Sequence, residues 1–215
     1  PGREQRAGND PPRPRWIRRM SLLFLALLGY FVGSVPFSFL IARLFGVRDV
    51  RTMGSGNVGA TNVMRSVGRF PGTAALILDG LKGTLAVILP RHLGASEAEV
   101  CVAGLFSVAG HMFPIWLGFR GGKGVATGAG LFIVLAPLAL GISASLFLLT
   151  LAMFRYVSLA SIVASAALPV TAYALGSGPI VAVSAVVAAV MVVLRHRANV
   201  GRLLRRAEPR LGAKR

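Results

Sequence analysis

Six apolar segments, each long enough to form a buried or membrane-spanning helix, cover most of this chain. Their approximate ranges are 21–42, 71–90, 98–118, 126–154, 157–175 and 178–194. About twenty apolar residues suffice to cross the hydrocarbon core of a bilayer. Charged residues make up only 14% of the chain, whereas a soluble domain usually carries about a quarter. The sequence therefore predicts an all-α integral membrane protein.

The segment 126–154 decides the number of spans, because it is longer than one crossing needs. It can form one long tilted helix, or two short helices that meet near Pro137 and Gly141. Loops rich in Lys and Arg stay in the cytoplasm. Splitting this segment brings to one side four basic interruptions, which are Arg43 to Arg69, Arg120 with Lys123, Arg155, and Arg195 onward. We therefore predict a compact bundle of seven transmembrane helices, with the N-terminus outside and the C-terminus cytoplasmic.

The two ends of the chain are predicted to lie outside the helical bundle. Residues 1–20 are rich in Pro, Arg and Gly and are expected to form a disordered basic tail. The transmembrane domain is expected to cover 21–208, followed by a short cytoplasmic tail over 209–215. One observation opposes the predicted orientation. With the N-terminus outside, the side of the membrane that the positive-inside rule disfavours carries Arg13, Arg15, Arg18 and Arg19.

The formal net charge of +17 comes from 24 Lys and Arg against 7 Asp and Glu. A nucleic-acid partner is disfavoured, because the cations are scattered between apolar spans and not gathered on one soluble domain. They are better explained as topological anchors and as ligands of anionic lipid heads. Cys101 is the only cysteine, which excludes both an intrachain disulfide and a cysteine-based zinc cluster.

The first segment that indicates chemistry is Gly54-Ser-Gly-Asn-Val-Gly-Ala-Thr-Asn62. Irregular, glycine-rich backbone beside a membrane needs protein or water partners. Small residues let consecutive backbone N–H groups form a concave anion site, and Ser55, Thr61 and Asn62 add side-chain donors. The segment favours an anion-binding loop over a simple tight turn, which needs fewer glycines.

The second segment reads Phe119-Arg-Gly-Gly-Lys-Gly-Val-Ala-Thr127. It is similar to a phosphate loop that runs into a helix N-terminus, where backbone donors, the helix dipole and Lys123 converge on an anion. Lys123 is followed by Gly124 and Val125, whereas a nucleotide-hydrolysing loop needs Ser or Thr after its Lys to bind Mg²⁺. The segment therefore predicts phosphate binding without nucleotide hydrolysis.

The third segment begins at His196, and Asn199 follows three positions later, so a helix would present both on one side. Near neutral pH histidine can act as a base or can donate a hydrogen bond to a phosphate group. Asp79 and Lys82 are also three positions apart, within an apolar span. Intramembrane charges of this kind either satisfy each other or line a polar site, and the sequence leaves both readings open.

Together these segments resemble the bacterial acyl-phosphate-dependent glycerol-3-phosphate acyltransferases, the PlsY family. The similarity covers nearly all of 21–208 and rests on GSGNVGATN, GHMFPIWLGFRGGKGVAT, RYVSLAS and HRANVGRLL. It implies a seven-helix enzyme of the bacterial inner membrane whose motifs face the cytoplasm. The implied reaction moves an acyl group from acyl phosphate to the sn-1 hydroxyl of glycerol 3-phosphate. It gives lysophosphatidate and phosphate, begins phospholipid synthesis, and needs no metal or organic cofactor.

The resemblance also implies roles for individual positions. The implied catalytic positions are Ser55, Lys123 and His196. Acyl phosphate would be held by Ser55, Gly56, Asn57, Thr61, Asn62, Gly121, Gly122 and Gly124. Glycerol 3-phosphate would be held by Arg65, Lys123, Ser158, His196 and Asn199. Either His196 or a substrate phosphate oxygen would deprotonate the hydroxyl. The chain departs from the family pattern at Arg206, which replaces the usual Gly in the turn before Glu208.

A transporter of organic phosphates is the alternative from another functional class. Broken helices, Gly-rich turns and intramembrane charges are also typical of transporter sites. Transporters place these elements near the bilayer midplane, whereas the split topology gathers them at one edge of the membrane. This arrangement favours the acyltransferase.

Overall fold

The computed structural model describes residues 15–212, with side chains from Leu22 onward, and this part of the chain contains helices and connecting turns only. The helices are α1 (Arg15–Ser34), α2 (Phe37–Leu44), α3 (Ala60–Ser66), α4 (Arg69–His92), α5 (Glu97–Met112), α6 (Val125–Leu135), α7 (Pro137–Phe154), α8 (Val157–Ala174), α9 (Pro179–Arg195) and α10 (Arg197–Leu204). Short 3₁₀ turns occur at Val50–Thr52 and Ile115–Leu117. The predicted all-α fold is confirmed.

Five segments of the described residues are long and apolar enough to cross a membrane: Leu22–Leu44, Arg69–His92, Glu97–Leu117, Pro137–Phe154 and Val157–Ala174. A sixth is obtained if α9 and α10, which meet at 57°, form one broken span. Helix α6 has 11 residues, fewer than the roughly twenty that one crossing needs. The chain is therefore a multi-pass membrane protein, while the number seven and the orientation of the termini remain predictions.

The long apolar segment 126–154 is divided, as the sequence predicts. Helix α6 ends at Leu135, Ala136 takes a non-helical conformation, and Pro137 begins α7. Proline is tolerated in the first turn of a helix but would disrupt the turn before it. The two helices pack on different neighbours, α6 mainly on α4 and α7 mainly on α8.

The described residues include parts of both predicted tails. Helix α1 begins at Arg15, and no Pro or Gly interrupts the chain between Arg15 and the apolar run. The remainder of the predicted N-terminal tail, 1–14, lies outside the described residues. At the other end, the backbone N–H of Leu211 donates to the Arg155 carbonyl over 2.7 Å. The start of the C-terminal tail is therefore docked on the α7–α8 turn.

Glycines allow α4 and α6 to pack backbone against backbone. A Cβ on Gly130 would lie 1.9 Å from the carbonyl oxygen of Gly80, and one on Gly83 would lie 2.1 Å from that of Thr127. Small residues at helix contacts are typical of membrane proteins, where association depends on close van der Waals packing. This contact fixes the start of α6, and hence the loop before it, against α4.

Candidate functional site

A cavity of about 450 Å³ extends from the loops at one end of the bundle into the space between α6, α7, α8 and α9. Its polar end is lined by Ser55, Asn57, Thr61, Arg65, Lys123, His196, Asn199, Arg202 and Glu208. Its apolar part is lined by Phe132, Leu140, Phe147, Leu148, Leu168, Ala188 and Val192. A cavity with a cationic mouth and an apolar interior can hold a ligand that has an anionic head and an acyl tail.

Most of the site residues predicted from sequence line this cavity, although they come from four separate parts of the chain. The residues brought together are Ser55, Asn57, Thr61, Asn62, Arg65, Lys123, Gly124, Ser158, His196 and Asn199. Gly56, Gly121 and Gly122 do not line it. The three predicted catalytic positions therefore share one cavity.

Asn62 organises the first loop from within. Its side chain is only 1% exposed, and its Oδ1 accepts a hydrogen bond from the backbone N–H of Ser55 over 2.8 Å. Its Nδ2 donates to the carbonyl oxygens of Val50 and Met53, each at 3.0 Å. Gly54 is required here, since its φ is +57° and a Cβ would lie 2.2 Å from Asn62 Oδ1. Asn62 therefore shapes the loop that presents Ser55.

The glycines of the second loop are used differently from the sequence prediction. The N–H of Gly121 donates to the Met112 carbonyl over 3.1 Å, and that of Gly122 donates to the His111 carbonyl over 3.0 Å. Their own carbonyls accept from the guanidinium of Arg195 at 3.0 Å. These N–H groups are therefore not free to bind acyl phosphate. Glycine is needed because a Cβ on Gly121 would lie 2.2 Å from the His111 carbonyl oxygen.

Lys123 is the residue that this loop directs toward the cavity. Its Nζ donates to Oδ1 of Asn199 over 2.5 Å, which joins the loop to α10. Burial lowers the pKa of Lys123 to about 8, and the carboxylate of Glu208 partly opposes the shift. Lys123 is therefore cationic at neutral pH but close to the range in which it loses its proton.

His196 lies in the turn between α9 and α10 and is 2% exposed. Its Nδ1 is 2.8 Å from the Val192 carbonyl oxygen, which can only accept, so the proton is on Nδ1 and Nε2 carries the lone pair. Burial, followed by the nearby charge of Lys123, lowers the pKa of His196 to about 4. The ring is therefore neutral near pH 7.

Glu208 is the site residue that sequence reasoning missed. Its Oε1 accepts from Ser158 Oγ over 2.7 Å and from Asn199 Nδ2 over 2.6 Å, and its Oε2 accepts from Arg202 Nε over 2.7 Å. Burial alone would raise the pKa of Glu208, but these three hydrogen bonds bring it below its usual value. One sequence signal could have identified it, since it is the only acidic residue after Glu99.

The turn before Glu208 is formed even though Arg206 replaces glycine. Arg206 has a φ of +57°, and the N–H of the next residue, Ala207, donates to the Arg202 carbonyl over 2.8 Å. The side chain of Arg206 is exposed, so no neighbour prevents this left-handed conformation. The departure from the family pattern therefore leaves the position of Glu208 intact.

The sequence is similar to known proteins over most of its length. A model of the family described as glycerol-3-phosphate acyltransferase matches residues 23–206. A glycerol-3-phosphate acyltransferase of Mesorhizobium japonicum is 48% identical over 193 residues, covering 89% of this chain and 97% of its own length. One from Brucella suis is 44% identical over 193 residues, covering 90% of this chain and 94% of its own.

Solved structures are also similar to this chain. The crystal structure of PlsY, an integral membrane glycerol 3-phosphate acyltransferase, in its glycerol 3-phosphate form has a TM-score of 0.84 and 41% identity. The lysophosphatidic acid form has a TM-score of 0.82 and 40% identity. Each comparison covers 89% of this chain and 96% of the solved one.

Proposed function

The chain belongs to the glycerol-3-phosphate acyltransferase family, and from this membership we propose that it transfers an acyl group from an acyl phosphate to the sn-1 hydroxyl of glycerol 3-phosphate. The products are 1-acylglycerol 3-phosphate and inorganic phosphate, and the reaction begins phospholipid synthesis. The observation that carries the proposal is one cavity with a cationic polar end and an apolar interior between membrane helices.

The charges at the polar end suit two phosphorylated substrates. Arg65, Lys123 and Arg202 line it, together with the carboxylate of Glu208. Glu208 is held by Arg202, whereas Lys123 donates to the amide oxygen of Asn199 and Arg65 donates to the Pro209 carbonyl. We expect these two cations to contact the substrate phosphates. Charge-assisted hydrogen bonds from such groups are roughly twice as strong as neutral ones.

The apolar interior suits the acyl chain. Leu148 and Ala144 of α7 line the cavity and are exposed, although α7 is an apolar helix long enough to cross a membrane. In a bilayer α7 contacts lipid, so the acyl chain of a membrane-dissolved acyl phosphate can enter the cavity from the lipid. This supports an acyl donor carried by the membrane, together with a water-soluble acceptor.

The proposed roles follow from these positions. Ser55, Asn57 and Thr61 hold the acyl-phosphate group, on a loop shaped by Gly56 and Asn62. Lys123 lies between the two phosphates, on a loop shaped by Gly121, Gly122 and Gly124. Arg65 and His196 lie on the glycerol 3-phosphate side, where Ser158 and Asn199 contribute by orienting Glu208.

The reaction requires no covalent enzyme intermediate. The sn-1 oxygen attacks the acyl carbonyl carbon, the bond from that carbon to the phosphate oxygen breaks, and phosphate leaves with the electron pair. His196, with its pKa near 4, is a weaker base than a phosphate group, whose second pKa is about 6. We therefore propose that a substrate phosphate oxygen removes the proton from the hydroxyl. Lys123 stabilises the negative charge that develops.

We place the site on the cytoplasmic face of the bacterial inner membrane. Gly124, just before α6, and Ser158, at the start of α8, both line the cavity, so the α6–α7 pair leaves and returns to the same end of the bundle. This supports seven spans, with α6 as a short one, an external N-terminus and a cytoplasmic C-terminus. The acyltransferase domain then covers 21–208, with 209–215 as a cytoplasmic tail.

The test is phosphate release by the purified protein in detergent or lipid. We expect release from palmitoyl phosphate, with equimolar lysophosphatidate, only when glycerol 3-phosphate is present, and no product with acyl-CoA as donor. Equal release without the acceptor would instead indicate an acyl phosphatase. Uptake of glycerol 3-phosphate into liposomes without acyl consumption would indicate the transporter.

A further inference from the structure

A buried group of charged residues lies directly behind the second loop. Asp79 and Lys82 of α4 are 1% and 2% exposed, and His111 of α5 is 8% exposed. Lys82 Nζ is 2.9 Å from Asp79 Oδ1, and His111 Nδ1 is 3.5 Å from the same oxygen. Burying three ionisable groups among membrane helices is costly unless they pair, and here they share one carboxylate oxygen.

The remaining polar atoms of this group join it to the neighbouring helices. Ser38 of α2 donates to Asp79 Oδ2 over 2.6 Å, and Lys82 Nζ donates to the Val35 carbonyl over 2.8 Å. Thr127, in the first turn of α6, donates to the Asp79 backbone carbonyl over 3.0 Å. Asp79 is therefore fixed from several directions and cannot reorient to follow its partner His111.

The ring of His111 contacts the loop that carries Lys123. A Cβ on Gly122 would lie 2.1 Å from His111 Nε2 and 2.6 Å from the Val58 carbonyl oxygen. Gly122 is therefore enclosed between the ring and the first loop, while its N–H donates to the His111 carbonyl. Lys123 is the next residue, so any shift of the ring moves the backbone that carries its side chain.

We propose that His111, held by the Asp79–Lys82 pair, is a positioning residue that sets the location of Lys123 in the cavity. His111 and Asp79 also border the cavity, and an Asp–His pair can serve as a general base. That role does not fit here, because Gly122 covers Nε2, the nitrogen that would have to reach the substrate. The inference rests on the proposed role of Lys123 as the cation between the two phosphates.

The test is a double-mutant cycle on the turnover number of the full-length enzyme. His111→Ala should lower kcat about tenfold or more, with a smaller effect on KM, because misplacing a catalytic group by about 1 Å can cost a hundredfold. In a Lys123→Arg background the same change should alter kcat by less than about twofold, since residues that act through one another are not additive. Asp79→Asn, which preserves shape, should reproduce the pattern if His111→Ala does not fold.

Thr84→Val is the matched control for a purely structural role. Thr84 lies on the same helix and donates to the Gly130 carbonyl of α6 over 2.9 Å, but it does not belong to the group around Asp79. It should lower thermal stability with kcat unchanged. Equal fold-losses of kcat for His111→Ala in both backgrounds would overturn the positioning role. Full activity of Lys123→Arg would instead overturn the role proposed for Lys123, and this inference with it.

Discussion

Lys123 Nζ lies 2.5 Å from Oδ1 of Asn199, which ties the loop before α6 to α10 across 76 positions of sequence. The Nδ2 of the same amide donates to Glu208, which also accepts from Ser158 and Arg202. One asparagine therefore holds the carboxylate of Glu208 and the ammonium of Lys123 on opposite sides of a single amide. This arrangement keeps Lys123 charged and directed, without neutralising it in a direct ion pair.

Asn199 contacts both Lys123 and Glu208, so removing its amide should displace both side chains. We expect Asn199→Ala to lower kcat/KM for glycerol 3-phosphate by roughly 10- to 100-fold, since a hydrogen bond to a charged group contributes about 1.5–3 kcal/mol. Steady-state kinetics with palmitoyl phosphate measures this. Arg197→Ala, on the exposed side of α10, is the control and should stay within about twofold of the parent enzyme. A similar loss in both variants would contradict the role of Asn199.

The pH dependence of activity should follow Lys123. Its pKa of about 8 means that it is protonated, and able to bind phosphate, below that pH, and neutral above it. We therefore expect kcat/KM to fall as pH rises through about 8, because this parameter reports the ionisation of the free enzyme. Arginine stays protonated throughout this range, so any residual activity of Lys123→Arg should not show the fall. An increase in kcat/KM from pH 8 to 9 would indicate that neutral Lys123 acts as a base.

Much of this architecture could be predicted from sequence because it depends on local signals. The break between α6 and α7 follows from Pro137, and the grouping of the polar loops follows from where basic residues interrupt the apolar spans. Glu208 could not be assigned in the same way. Its partners Ser158, Asn199 and Arg202 belong to two helices, and Ser158 is 50 positions away, so spacing gives no indication of the contact.

Gly121 and Gly122 show why one sequence signal can have two structural causes. Glycine allows a ligand to approach the backbone closely, and it equally allows another part of the protein to do so. Both patterns look the same in sequence. In the structure the space beside Gly122 is occupied by His111, whose role depends on a charge pair on a different helix. The sequence indicated the Asp79–Lys82 pair but not the histidine that completes it.

The acyl-chain path can be tested at Ala144, which lines the cavity and is exposed. This residue is ten positions before the end of α7, which corresponds to about 15 Å along the helix axis. A bulky side chain there should obstruct a long acyl chain more than a short one. We expect Ala144→Trp to lower kcat/KM for palmitoyl phosphate by about tenfold relative to octanoyl phosphate, as a loss of about 1.4 kcal/mol of binding would.

Ile142→Trp is the control for this substitution. Ile142 is 43% exposed on the same helix and does not line the cavity. Its replacement adds the same indole to the lipid-facing surface, and the ratio of the two substrates should stay that of the parent enzyme. An equal change of this ratio in both variants would show that a bulky side chain anywhere on α7 alters the preference between the two substrates. That result would contradict the proposed path.

The left-handed turn at Arg206 should be a source of strain that glycine relieves. A left-handed conformation costs a residue with a side chain roughly 1–2 kcal/mol, whereas glycine adopts it freely but gains about 0.4–1 kcal/mol of entropy in the unfolded chain. Arg206→Gly should therefore raise the free energy of unfolding by roughly 0.5–1 kcal/mol, measured by thermal melting in detergent. At the adjacent Arg205, where φ is −86°, glycine relieves no strain, so Arg205→Gly should lower stability. The two substitutions remove the same charge from neighbouring exposed positions. Changes of opposite sign in the free energy of unfolding would therefore identify backbone strain at Arg206 as the cause, and changes of the same sign would exclude it.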